Sequence, residues 1–174
     1  TDVAAKINDF QRHARVPLLV AADLEAGAGF RFSGAVHVRT NVVLGGATSF
    51  PSLMAFGAIG DPSLAYEMGK ITAIEARTMG VHIQFAPVLD VNNNPDNPII
   101  NIRSFGENPE AVARLGVAFV RGIQDHGGVA TGKHFPGHGD TEVDSHLALP
   151  IISVDRARMD SIELLPFQAA IDAG

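Results

Sequence analysis

The chain has no cysteine among its 174 residues, so neither a disulfide framework nor a thiolate metal site can form. Basic residues are scarce as well. With 13 Lys and Arg against 19 Asp and Glu, the formal net charge is -6, which argues against binding to nucleic acid or an anionic membrane surface, since either needs clustered cations to meet phosphates. No apolar run approaches the roughly 20 residues of a membrane helix, and no low-complexity tract occurs. Thr1 to Phe10 lack the basic-then-apolar pattern of a signal peptide. What is present, 46% apolar and 18% charged residues, is the balance of a globular domain with a real core. The expected partner is a small molecule of little or no charge.

The pattern along the chain alternates helix and strand. Val3, Ile7 and Phe10 recur at helical spacing between Asp2 and Ala14, and Pro17 stops that helix. The nearly all-apolar run Pro17 to Ala22 is expected to be a strand buried on both faces, and it runs into Asp23. A Gly-rich stretch follows to Pro51. Asp61-Pro62 is a helix start, with Leu64, Met68, Ile71, Ile74 and Met79 as the expected core-facing stripe up to Gly80. Val81 to Ala86 reads as the next strand, ending near Asp90 and the loop Asn92 to Pro98. Asn108-Pro109 starts a helix carrying Val112, Leu115, Phe119 and Ile123, and Gly127-Gly128 ends it. Val129 to Gly132 starts a third strand leading to Lys133 and His134, and a last helix with a proline break runs from Val154 to Ala173. Such alternation predicts an α/β fold with a parallel sheet, either barrel or doubly wound. In both, sites lie beyond the carboxyl ends of the strands, where Asp23, Asp90, Lys133 and His134 fall.

The most informative stretch is Gly132 to His146, which places three His, two Asp, a Glu and a Lys in one loop rich in Gly and Pro. Packing alone does not call for such a density of titratable groups after a buried strand. Asp144 stands two residues from His146, close enough for its carboxylate to hydrogen-bond and orient the imidazole and to favour its charged form. His146 is then a usable general acid and base near neutral pH.

This stretch resembles the signature of family 3 glycoside hydrolases of the β-N-acetylglucosaminidase type. The resemblance implies a (β/α)8 barrel and a retaining two-step mechanism, with His146 as acid/base and Asp144 as its partner. A His/Asp dyad in place of a second carboxylic acid marks this subgroup within the general scheme, and it favours an N-acetylglucosamine substrate. Asp23-Leu24-Glu25 is similar to the family's Asp-x-Glu motif, whose Asp binds sugar hydroxyls. Where typical members continue Gly-Gly-Arg-Val, this chain reads Ala26-Gly27-Ala28-Gly29-Phe30-Arg31. Arg103 lies in an Arg-Ser-Phe-Gly element, and Lys133-His134 resemble the family's sugar-binding pair. Asp23, Arg103, Lys133 and His134 are thus the implied substrate-binding residues.

A complete barrel takes roughly 250 residues, whereas about three strands with their helices are legible here. The expectation is one fragment, residues 1–174, of a partial TIM barrel whose nucleophilic Asp lies downstream and which is inactive alone. Its open strand edges predict self-association. A noncatalytic carbohydrate-binding or assembly fragment and a β-N-acetylglucosaminide phosphorylase are the alternatives.

Competing readings are weaker. His134, His138 and His146 with Asp140 resemble a zinc set, but structural sites rarely have such Gly-Pro-interrupted spacing, so no metal is expected. His138 reads as a loop brace and Ser145 as structural, since no Gly-x-Ser-x-Gly elbow is present. Gly27-Ala28-Gly29 lacks the third glycine of a dinucleotide loop, so no cofactor is expected. Asp90 is expected to cap the Asn-rich loop rather than to bind substrate.

Overall fold

The computed structural model describes residues 2–32, 36–37, 43–44 and 46–174. Helix α1 spans Asp2–His13 and leads to strand β1, Ala21–Ala22. After a single 3-10 turn, Ala28–Phe30, come the short strands β2, Val36–His37, and β3, Val43–Leu44, which pair antiparallel. The rest of the predicted Gly-rich loop between them lies outside the described residues. Helices α2, Leu53–Ile59, and α3, Pro62–Thr78, precede strand β4, Ile83–Gln84. Helix α4, Pro109–Gln124, precedes β5, Val129–Ala130, and the chain closes with α5, Arg156–Ser161, and α6, Leu165–Asp172. Strands β1, β4 and β5 form a parallel sheet in that order, with Ala21 opposite Ile83 and Ile83 opposite Val129. Three parallel strands joined through helices are the βα units of a TIM-type barrel.

The caps read from sequence form as expected. The Asp61 side chain accepts from Ser63 N at 2.8 Å and that of Asn108 from Ala111 N at 2.8 Å, each with Pro in the first turn. Val112, Leu115, Phe119 and Ile123 of α4 are all fully buried. Pro166 does not break a helix but starts one, α6.

Two expectations need correcting. On α3 the core face is Ala65, Met68, Gly69, Thr72, Ala73 and Ala76, while Leu64 and Ile74 are exposed. The reason is a close crossing with α4. A Cβ on Gly69 would lie 2.3 Å from Phe119 O, and one on Gly122 would lie 2.1 Å from Tyr66 O. Small residues therefore decide which face of α3 packs, against the pull of the larger apolar ones. The run Pro17 to Ala22 is also not buried on both faces. Val20 and Ala22 pack against Ile7, Leu24, Ala76 and Val81, but Leu19 on the other face is 73% exposed. Among the described residues β1 is a sheet edge, and no strand covers its second face.

Candidate active site

The alternation that buries Val20, Ala22 and Leu24 sends Asp23 and Glu25 to the opposite face, at the carboxyl end of β1. On β5 the same parity separates Ala130, packed on the core, from Lys133. A ladder bond from Lys133 N to Pro87 O, 3.1 Å, holds the end of β5 against the segment after β4. The result is a compact charge cluster. Lys133 Nζ lies 2.7 Å from Asp23 Oδ1 and 2.6 Å from Glu25 Oε1. Arg103, delivered by the 3-10 turn Asn101–Arg103, grips Glu25 with two bonds, Nε to Oε2 at 2.9 Å and Nη2 to Oε1 at 2.8 Å. Its Nη1 donates to Ile99 O at 2.9 Å.

Burial pushes the Glu25 carboxyl up, but the hydrogen bonds and charges of Arg103 and Lys133 outweigh it and hold the group down at about 2. Arg103 is half-buried in this bidentate pair rather than exposed at the surface. Glu25, read only as part of a motif, is the hub on which both cations converge. The Asp-x-Glu spacing at a strand end was its signal, since residues two apart share a face.

Asp90 does not cap the Asn-rich loop; Asn97 does, its Oδ1 accepting from Ile99 N and Ile100 N while its Nδ2 donates to His138 O and Gly139 O. Asp90 is instead fully buried (0% exposed) beneath the site. It accepts from His134 N at 3.1 Å, from His134 Nδ1 at 2.6 Å and from His138 N at 2.6 Å. His134 Nε2 lies 3.2 Å from Arg103 Nη2. A guanidinium can only donate, so Nε2 accepts and the ring proton sits on Nδ1, facing Asp90. His138 is a brace, its ring bonded to the Thr141 hydroxyl.

Asp144 and His146 meet as the sequence spacing requires. His146 Nδ1 lies 2.6 Å from Asp144 Oδ1, which also accepts from His146 N at 2.9 Å. Those bonds, the backbone one first, hold the Asp144 carboxyl below the usual carboxylate range. With Nδ1 donating to Asp144, Nε2 of His146 is the atom left to exchange a proton. The His146 side chain is 75% exposed, and it lines a cleft of about 470 Å³ together with Glu25, Arg31, Arg103 and Ile102. The structure thus joins Asp23, Lys133, Arg103 and His134 in one cluster and sets the Asp144–His146 pair across the same cleft. Asp140 stands apart, paired with Arg158 at 2.9 Å. Among the described residues no three His, Asp or Glu are arranged to hold a metal ion.

Donor counting shows what the cluster can offer. Arg103 spends all but one of its N–H groups and Lys133 all but one of its three, leaving single donors beside the partly exposed Asp23 carboxylate. That set suits vicinal hydroxyls.

Because the Glu25 carboxyl is depressed from 4.5 to about 2, its stabilisation is fully present above pH 4.5 and is lost as pH falls towards 2. Denaturant unfolding of the unsubstituted chain and of Glu25→Gln across that window should differ in slope, with the unsubstituted chain losing of order 3 kcal/mol more. Parallel curves would show that Glu25 is not held by its two cations.

The sequence model of the glycosyl hydrolase family 3 N terminal domain matches residues 2–174. The chain is 41% identical over 170 residues to beta-hexosaminidase A of Pseudoalteromonas piscicida, covering 94% of this chain and 26% of that protein. The solved glycoside hydrolase family 3 beta-N-acetylglucosaminidase from Paenibacillus sp. str. FPU-7 superposes with a TM-score of 0.86 at 46% identity, covering 99% of this chain and 31% of that one. Beta-glucoside phosphorylase BglX superposes with a TM-score of 0.87 at 31% identity, covering 99% and 30%. The chain thus spans about a third or less of each of these relatives. Matched from its second residue to its last, it belongs to glycosyl hydrolase family 3, within that family's N-terminal domain.

Proposed function

We propose that the protein carrying this chain removes terminal β-linked N-acetylglucosamine by hydrolysis with retention of configuration. The observation that carries this reading is the Asp144–His146 pair, bonded at 2.6 Å, whose His146 lines the same cleft as Glu25 and Arg103. The relatives' names, beta-hexosaminidase and beta-N-acetylglucosaminidase, support the substrate class. Asp23, Arg103 and Lys133 hold the hydroxyls of the terminal sugar, and Glu25, Asp90 and His134, whose two ring nitrogens are taken up by Asp90 and Arg103, position them. His146 Nε2 gives a proton to the departing glycosidic oxygen as a nucleophilic carboxylate bonds to the anomeric carbon. The same nitrogen then takes a proton from the water that breaks that bond. The nucleophile is an Asp from a later strand end that residues 1–174 do not contain, so this chain alone is inactive.

Phosphorolysis is the second reading, favoured by the similarity to a beta-glucoside phosphorylase. A histidine acid/base, when neutral, repels an incoming phosphate less than a carboxylate does.

Leu19, Phe85 and Val129 lie exposed on or beside the strands, an apolar surface next to the two sheet edges, β1 and β5, that pair with no further strand among the described residues. The chain by itself is therefore expected to self-associate in sedimentation, and a monodisperse monomer would contradict this. For activity, the test is nitrophenol release from a β-N-acetylglucosaminide by this chain and by the chain carried through the complete barrel. Only the longer form should be active, and His146→Ala should lower its kcat by roughly a hundredfold or more. Sugar 1-phosphate formed on adding inorganic phosphate would favour phosphorolysis, and an inert longer form would refute both readings.

A further inference from the structure

Among the charged residues lining the cleft, Arg31 is the one that the proposed mechanism leaves unused. It follows directly on the segment where this chain departs from the typical family motif, reading Ala26-Gly27-Ala28-Gly29-Phe30-Arg31. That segment is built and braced. Gly27 adopts φ 90° as it enters the 3-10 turn Ala28–Phe30, and a Cβ there would lie 2.5 Å from Thr48 O. Gly29 N donates to Thr48 O at 2.8 Å and Phe50 N to Ala26 O at 2.9 Å. The turn thereby fixes where Phe30 and Arg31 emerge. The Arg31 guanidinium lies over the Phe30 ring, 4.5 Å from its centroid, and both residues line the cleft that holds His146.

The charges explain what that guanidinium is for. Asp23 and Glu25 close with Lys133 and Arg103, while Asp144 is taken up by His146 and the buried Asp90 by His134 and His138. Among the carboxylates of the described residues Arg31 approaches only Asp23, at 3.8 Å, beyond hydrogen-bond reach, and Asp23 already pairs with Lys133 at 2.7 Å. Arg31 is 53% exposed, and among the described residues its side chain donates no hydrogen bond. A planar fork of N–H donors, stacked on an aromatic ring and facing a cleft, is suited to bidentate capture of an oxyanion. Whatever leaves or attacks beside His146 passes through the same cleft.

We infer that Arg31 is a specificity-determining residue, binding an oxyanion carried by the group that departs from or attacks the anomeric carbon beside His146. The inference rests on the proposed glycosidase reading. Two sources share this chemistry: a carboxylate on the leaving group, or inorganic phosphate as the attacking acceptor. In the second case a phosphate oxygen bonds to the anomeric carbon as the bond to the nucleophilic carboxylate breaks, giving the sugar 1-phosphate.

The test uses the protein carried through its complete barrel, with Arg31→Gln and Arg31→Lys. Two aryl β-N-acetylglucosaminides are compared, with a neutral and with a carboxylate-bearing leaving group, and turnover is also followed against inorganic phosphate. If the oxyanion is on the leaving group, Arg31→Gln lowers the carboxylated-to-neutral ratio of kcat/KM about tenfold or more, and Arg31→Lys partly restores it. If it is phosphate, the KM for phosphate rises by a similar factor while that ratio holds. Neither quantity moving overturns the inference. Should the unsubstituted protein turn over no glycoside, the glycosidase reading fails, and titration with inorganic phosphate and with benzoate decides the role of Arg31. Binding lost in Arg31→Gln supports the role, and no binding, or binding unchanged by the substitution, overturns it.

Discussion

A carboxylate removed from water must be met by donors on every side, and Asp90 shows what meeting that demand organises. Its two oxygens collect the backbone N–H of His134, the ring N–H of His134 and the backbone N–H of His138. His134 ends the β5 segment, and His138 opens the loop that carries Asp144 and His146. One buried acid therefore sets both the orientation of the His134 ring and the root of the loop bearing the proposed acid/base. Because the His134 proton is committed to Asp90, its other nitrogen is left to receive Arg103, and Arg103 in turn is aligned on Glu25. The chain of consequences runs from a buried charge to the geometry of the cleft.

The cluster above Asp90 is nearly closed in charge. Asp23 and Glu25 match Lys133 and Arg103, so a neutral sugar can enter without stranding an ion in a site of low dielectric. The strength of those pairs holds four side chains in place and leaves only single donors and the Asp23 lone pairs facing outward. Preorganisation of this kind orients a ligand without the entropy loss of ordering each side chain on binding. Arg31 stands outside that balance, which is why it draws a separate assignment.

Much of this was legible in the residues. Asp61-Pro62 and Asn108-Pro109 announced their helices because an N-cap side chain and a proline in the first turn act locally. Strand ends could be placed because apolar runs stop at acids, and Asp144 with His146 were paired because two residues on a loop are within reach of each other. Other features depended on partners distant in sequence. The packed face of α3 was misjudged because Gly69 and Gly122 invite a close helix crossing that outweighs the larger side chains. Helix α2 was hidden after a Gly-rich stretch, with a Gly of its own that sits against the Phe105 backbone. Glu25 gains its weight only from Arg103 and Lys133, which lie 78 residues away in the first case. Asp90 was read as a loop cap because its true partners, His134 and His138, approach it only in the folded chain.

The dependence of the site on Asp90 can be read most directly from the imidazole of His134 by nitrogen NMR at neutral pH, in the unsubstituted chain and in Asp90→Asn. The account predicts a proton on Nδ1 and a bare Nε2 in the unsubstituted chain, with that preference lost when Asp90 is replaced. A proton on Nε2 in the unsubstituted chain, or a tautomer indifferent to the substitution, would contradict the claim that this buried carboxylate sets the geometry of the cleft.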